Sequence, residues 1–495
     1  DINLTNRQTG MKLPVRKLVW CALLCCGTIP SFAQANYDFS KLKMEPLGRG
    51  VVAVRESPEK VNISWRYLTQ DPESQTFDVY RNGKKINKAP ISDVTFFSDS
   101  YKGNEPATYE VRPAKGKLAG RYTLPANAPH GYIDIPLDRP ELGVDIFGKE
   151  YHYTANDASV GDVDGDGEYE IILKWDPTNA HDNAHNGFTG PTIFDCYKLD
   201  GSRLWRIDLG KNIRSGAHYT QFMVYDLDGD GCAEFVCKTG DGSIDGTNHV
   251  IGDLKADWRN INGRIIAGPE YLTIFDGKTG TALQTVDYTP QRGNLKDWGD
   301  SYANRSDRFL AAIAYLDGVR PSVVMCRGYY TYAFLWAVDF DGEKLSTRWL
   351  HSSKSKTQYS VTDGEGNSIS YTPESATRGS GSRTAYGNGN HNLTVGDVDG
   401  DGKDEILWGS CAIDDDGKLL YATGYGHGDA IHLGKMIPGR DGMQVYQVHE
   451  SSPYGWDLHD AATGEILFSG TADGDTGRGI CLLYTSDAAD DLTRV

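Results

Sequence analysis

The sequence lacks a basic excess. Lysine and arginine number 50 against 68 aspartates and glutamates, giving a formal net charge of −18 and a pI near 5.1. The positive footprint that phosphate binding requires is therefore missing, which excludes nucleic acid as a partner. Long apolar runs are also scarce. The one leading run, Leu18 to Cys26, is too short to cross a bilayer, and no later stretch approaches the roughly 18 to 20 apolar residues needed. Cysteine chemistry is thin as well. Beyond residue 35 there remain Cys196, Cys232, Cys237, Cys326, Cys411 and Cys481, none in C-x-x-C spacing. Several sit in apolar runs such as Glu234-Phe235-Val236-Cys237, so buried free thiols are expected, with a single disulfide the alternative. Sustained helical periodicity is absent too.

What is present begins with an export leader. Lys12, Arg16 and Lys17 precede the apolar run, and Ala33-Gln34-Ala35 forms an A-x-A cleavage site, so residues 11–35 read as a signal peptide and the product as secreted or periplasmic. Residues 1–10 precede Met11 and are expected to be untranslated; the tail 481–495 matches nothing before it and is expected to be artefactual. A monomer is expected.

Residues 36–130 read as short strands, among them Val61 to Arg66, Phe77 to Tyr80 and Thr108 to Val111, with a hairpin turn at Arg81-Asn82-Gly83-Lys84. That pattern predicts a β-sandwich resembling a fibronectin III-like module. From 131 to 480 a repeat takes over. Apolar strands at Tyr169–Trp175, Ala233–Lys238, Pro321–Cys326, Asp404–Trp408 and Met443–Val448 are each followed by a turn, at Asp200-Gly201, Thr279-Gly280, Asp341-Gly342, Asp416-Gly417 and Thr463-Gly464. Five strand-rich units of this kind predict an all-β propeller, with a sixth unit starting at Asp473. The spacing from Asp162 to Asp226 is too long for a β-helix coil of roughly 20 to 30 residues. A ring left incomplete here would expose two sheet faces that are otherwise buried.

Three segments share one acidic pattern. Asp162, Asp164, Asp166 and Glu170 form the first set, Asp226, Asp228, Asp230 and Glu234 the second, and Asp397, Asp399, Asp401 and Glu405 the third. Alternate carboxylates around paired glycines predict calcium, which accepts about six to eight oxygens in flexible geometry. An EF-hand needs its closing Glu three residues later, where Leu173, Cys237 and Trp408 stand. These ions are expected to staple the fold, not to catalyse.

Three polar clusters in connecting loops are candidates for chemistry: Asn179 to Gly187, Gly387 to Asn392, and Gly426-His427-Gly428-Asp429. Histidines among glycines and asparagines have little to pack against, which favours a cleft. His427 and Asp429 could bind a metal or orient a proton-transfer group, and Arg478, between Gly477 and Gly479, suits a carboxylate. The aromatic run Tyr329 to Phe334 suits sugar stacking or core, and is assigned no role.

With these segments in place, the chain from about Asp134 to Ile480 resembles the polysaccharide lyase family 11 rhamnogalacturonan lyases. The resemblance rests on Asp162 to Trp175, Leu199-Asp200-Gly201, Ala217-His218-Tyr219, Asn390-His391-Asn392, Gly426 to Asp429 and Gly477-Arg478-Gly479. It implies an eight-bladed, calcium-rich propeller, incomplete in this chain, that cleaves the rhamnose-galacturonate backbone of rhamnogalacturonan I in pectin by β-elimination. On that reading His391, His427 and Arg478 are catalytic, Asn179, Asp200 and Asp429 bind substrate, and calcium is the cofactor. The alternative is a non-catalytic adhesion or carbohydrate-binding propeller. A quinoprotein dehydrogenase is disfavoured, because adjacent cysteines occur only in the leader.

Overall fold

The computed structural model describes residues 41–68, 71–115, 119–353, 359–362, 368–371 and 384–479. The leader, Cys21, Cys25, Cys26, Cys481 and the tail lie outside these residues.

The N-terminal part is two antiparallel sheets over one core. One sheet pairs Val52–Ser57, Lys60–Ser64 and Phe96–Asp99; the other orders Lys84–Lys85, Phe77–Arg81, Ala107–Pro113 and Gly120–Leu124. Strand Ala107–Pro113 shows the cause: Ala107, Tyr109 and Val111 are buried while the residues between them are not. The predicted hairpin turn is present, with Asn82 and Gly83 both left-handed at φ 48° and 79°, as a two-residue turn between twisted strands demands. Ala53, Ile63, Trp65, Phe77 and Val79 fill the space between the sheets.

The rest of the described chain is dominated by five four-stranded antiparallel meanders. The first runs Tyr153–Gly161, Glu170–Pro177, Ile193–Tyr197 and Arg203–Asp208, and the second Phe222–Tyr225, Glu234–Thr239, Tyr271–Phe275 and Ala282–Asp287. The third is Phe309–Ala314, Ser322–Arg327, Phe334–Phe340 and Leu345–Ser352. The fourth is Thr394–Gly396, Glu405–Leu407, Cys411–Ile413 and Leu419–Ala422, and the fifth Ile431–Gly434, Gln444–Val448, Trp456–Asp460 and Ile466–Gly470. A small hairpin, Ser243–Ile244 with Val250–Ile251, leaves the second meander and extends the first. The only helix among the described residues is the single turn Leu295–Trp298.

Successive meanders pack face to face. Phe194 and Trp205 of the first meet Phe235 and Phe275 of the second; Val236 and Ile274 on the other face of the second meet Met325 and Trp336 of the third. Val324 and Leu335 then meet Ile406 and Ile413, and Leu407 and Ala412 meet Ile431 and Val445. Sheets covered on both faces need apolar residues at consecutive positions, which is why Glu234–Thr239 and Ser322–Arg327 are buried throughout. The first strand of each meander touches the first strand of the next. A polar network is sealed between the second and third: Glu270 accepts from Arg327 at 2.7 Å and Arg292 at 2.9 Å, with Lys238 Nζ at 3.1 Å. Those cations hold the Glu270 carboxyl well below its ordinary range despite burial.

This topology separates two ends. In a meander the connections after strands one and three share one end, and those after strands two and four share the other. The three acidic segments follow first strands, and the turns at Gly201, Gly280, Gly342, Gly417 and Gly464 follow third strands, so all sit at one end. The N-terminal segment crosses that end. Gly48 donates its amide to Gly167 O at 2.9 Å, where a Cβ would lie 2.3 Å from the same oxygen, and Arg66 stacks 4.1 Å over Tyr169.

The five predicted unit strands fall on the second strand of each meander. The thiols of Cys196, Cys237 and Cys326 are free and buried and that of Cys232 free and half-buried, while Cys411 is buried, so the disulfide alternative finds no support among the described residues.

Candidate active site

The acidic segments adopt one conformation three times. In each, two glycines take left-handed φ: Gly165 and Gly167, Gly229 and Gly231, Gly400 and Gly402. That twist turns backbone amides onto the first Asp; Gly167, Gly231 and Gly402 donate to Asp162, Asp226 and Asp397 at 2.7, 3.0 and 3.1 Å. The closing Glu receives the amide after the first Asp, at 3.0, 2.8 and 2.8 Å for Glu170, Glu234 and Glu405. Burial raises Glu170 to about 7 and Glu234 and Glu405 to about 8, with neighbouring carboxylates adding to the rise. These oxygens fit a divalent ion. Ligand atoms of Asp162, Asp164 and Glu170, of Asp226, Asp228 and Asp230, and of Asp397, Asp399 and Glu405 lie within 4.8 Å of one another in each set, and Glu405 Oε1 is buried without a partner.

The other end gathers different chemistry. His218 precedes the second meander, Tyr329 and Tyr330 join strands two and three of the third, His391 precedes the fourth, and His427 and Asp429 precede the fifth. A backbone bridge between Asn390 and Gly428 locks the last two segments together. His427 Nδ1–H donates to Gly389 O at 2.6 Å, which leaves its Nε2 as a buried lone pair without a partner. His391 is fixed by two phenols, Tyr329 OH at Nδ1 (2.9 Å) and Tyr330 OH at Nε2 (3.0 Å), and its Nε2 lies 3.4 Å from Asp429. Ligand atoms of His391, His427 and Asp429 converge within 4.8 Å. Glu450 Oε2 stands 3.9 Å from His427 Nε2.

Burial keeps these imidazoles neutral. It lowers His427 to about 3, aided by His391, and lowers His391 against the pull of Asp429. The neutral His427 ring, its Nδ1 fixed by a carbonyl and its Nε2 unpartnered, suits a cation, and Glu450, raised by burial and by Asp475 and Asp429, points to the same need.

Two of the three convergent residues, His391 and Asp429, line a cleft of roughly 880 Å³ whose walls also include Arg478, His218 and Asp182. Arg478 Nη1 donates to Asp429 O at 2.8 Å, which sets its guanidinium at the rim. On the facing wall Arg308 donates to Asp182 at 3.0 Å, and His218 Nε2 lies 3.4 Å from the same oxygen.

Of the residues singled out in the sequence, His391, His427, Asp429 and Arg478 come together. Asn179 and Asp200 do not join them. Asn179 Oδ1 receives Gly190 N at 2.8 Å and steadies its own loop, and Asp200 caps the turn at Ser202 in a separate hollow beside the N-terminal sheets. Tyr329, Tyr330, Asp182, Arg308, His218 and Glu450 carry site geometry that sequence reasoning gave no role. Only the polar loop holding Asp182 and the motif holding His218 offered a signal.

Residues 132–372 and 367–488 match the model of the rhamnogalacturonan lyase family 11 C-terminal domain, and 42–122 match the rhamnogalacturonan I lyase beta-sheet domain. The chain is 52% identical to the rhamnogalacturonan exolyase YesX of Bacillus subtilis over 89% of this chain and 68% of that protein. It is 50% identical to the endolyase YesW of the same organism over 96% of this chain and 72% of that one. It superposes on the solved structures of YesX and of a Bacillus licheniformis rhamnogalacturonan lyase, at 52% and 51% identity, with a TM-score of 0.79, covering 89% of this chain and 69% and 71% of theirs. The chain belongs to rhamnogalacturonan lyase family 11.

Proposed function

We propose that this protein is a rhamnogalacturonan lyase that cleaves the rhamnose-galacturonate backbone of pectin in the cleft between His391, Asp429, Arg478 and Asp182. The observation that carries the site assignment is the convergence of His391, His427 and Asp429 around the open Nε2 of His427. Identity of about half to lyases over most of the chain favours catalysis over the non-catalytic adhesion or carbohydrate-binding alternative.

β-Elimination removes the C5 proton of a galacturonate, forms the C4–C5 double bond and expels the rhamnose-bearing oxygen from C4, which leaves with a proton. The step is slow while the uronate is an unneutralised anion, because its carboxylate resists further negative charge at C5. A calcium ion, held by His391, His427, Asp429 and Glu450 when bound, would neutralise that carboxylate and raise the acidity of C5–H. Tyr329 and Tyr330 fix the ring of His391. Arg478 contacts the uronate carboxylate or assists proton transfer from the rim.

The five meanders are the blades of a calcium-stapled propeller, with the two N-terminal sheets a fibronectin III-like sandwich over the acidic end. Support comes from the sequential face-to-face cores and the touching first strands. The basic and apolar leader supports export, where pectin is met. The test is incubation with rhamnogalacturonan I and calcium while following unsaturated-uronate absorbance. A rise that disappears in His427→Ala and Arg478→Ala supports the assignment, and polysaccharide binding without any rise refutes it.

A further inference from the structure

The three acidic segments share a backbone but face different partners across the blade. In the first meander the turn after the third strand places Lys198 opposite the segment; its amide donates to Ser202 O and its carbonyl receives Gly201 N, both at 2.9 Å. In the fourth meander the same turn position is Asp414, whose amide donates to Lys418 O at 2.8 Å and whose carbonyl receives Gly417 N at 2.9 Å. One position thus carries opposite charge in two otherwise matching sites.

The consequences are local. Lys198 Nζ lies 2.6 Å from Asp164, 3.1 Å from Asp166 and 3.5 Å from Glu170, so an ammonium group of the chain sits among the carboxylates of the first segment. In the fourth meander, ligand oxygens of Glu405, Asp414 and Asp415 lie within 4.8 Å of one another, and Glu405 also belongs to the set with Asp397 and Asp399. Glu405 is fully buried, and its Oε1 has no partner. Two ammonium groups lie nearby: Lys403 Nζ bridges Asp415 and Asp401 at 2.9 and 3.2 Å, and the exposed Lys418 Nζ pairs with Asp416. Around Glu405 the carboxylates outnumber them heavily.

We propose that the fourth-meander segment is a divalent-cation site whose ligands extend beyond its own loop to Asp414 and Asp415 of the facing turn, and that Lys198 serves as the internal counter-ion of the first segment. The first and fourth segments are then unequal, the fourth binding more tightly than the first. The all-oxygen ligand set and its irregular spacing suit calcium, whose affinity rises with ligand charge count. A cation there would tie the loop after the first strand to the turn after the third, clamping the edge of one sheet. This inference rests on the acidic segments being calcium sites.

Calcium titration of the chelator-stripped full chain, read by calorimetry and by thermal unfolding, tests it. In Asp414→Asn/Asp415→Asn one calcium event should weaken by at least about tenfold, and in Lys198→Met one additional tight event should appear. Unchanged affinities in both variants overturn the proposal while leaving calcium binding intact; no calcium binding by the wild type overturns the calcium reading itself. If either variant fails to fold, terbium soaked into wild-type crystals decides. An anomalous peak touching Glu405, Asp414 and Asp415, with none at Lys198, supports the proposal. A peak with Asp414 and Asp415 turned away, or one displacing Lys198, refutes it.

Discussion

The two ends of the meander stack are built from opposite materials. At one end each acidic segment spans nine residues of sequence and recurs in three of the five meanders. At the other, the site draws His218, His391 and His427 from connections between different sheets and Tyr329 from a connection within the third, so its groups come from distant parts of the chain. Repetition suits stability, since sheets of one build can be pinned in the same way. Catalysis suits the end where unlike connections converge, because one site needs several chemistries at once.

The sharpest way to break this contrast is to remove one group from each end. His427→Ala should reduce lyase activity by roughly a thousandfold, about 4 kcal/mol of barrier, while circular dichroism reports an intact fold. Comparable activity in the variant would place the chemistry elsewhere. Between the ends, Glu270→Gln should cost about 3 to 5 kcal/mol in denaturant unfolding, because Arg327, Arg292 and Lys238 lose their shared anion inside the stack. Since those cations hold the folded carboxyl below its unfolded value, its stabilisation is complete above about pH 4.3 and declines as pH falls further. A wild-type urea midpoint that is already falling between neutral pH and that value, in a way the variant does not share, would contradict this.

At the acidic end, chelation should lower the melting temperature by the equivalent of about 3 kcal/mol for a site held near a hundred times its dissociation constant. An unchanged melting temperature would mean that the carboxylates manage without a cation. The smallest effect is expected at the phenols: Tyr329→Phe or Tyr330→Phe should reduce kcat by about tenfold with KM little altered, the cost of one hydrogen bond that positions His391. A change confined to KM would make them sugar-contacting groups instead.

The contrast also explains what the sequence disclosed. The second strands of the meanders, the turns and the acidic segments were legible because their signals are local: consecutive apolar residues, T-G and D-G turns, alternating carboxylates. His391, His427, Asp429 and Arg478 stood out because they lie among glycines and asparagines in connecting loops, although His427 is buried against Tyr329 and Tyr330 and does not face open solvent. Tyr329 and Tyr330 did not, since an aromatic run reads equally as buried strand, and only the connection between two strands turns their hydroxyls onto His391. Arg308 lay in no motif, and its partner Asp182 is more than a hundred residues away in the chain. Asp200 stood in a recognised motif, yet the meander places its turn at the acidic end.

The most direct measurement of the central claim is unsaturated-uronate formation from rhamnogalacturonan I, with new reducing ends counted in the same reaction, by wild type and His427→Ala in calcium. The account predicts that both signals rise together for the wild type and stay near background for the variant. New reducing ends without unsaturated uronate, or a variant as fast as the wild type, would contradict it.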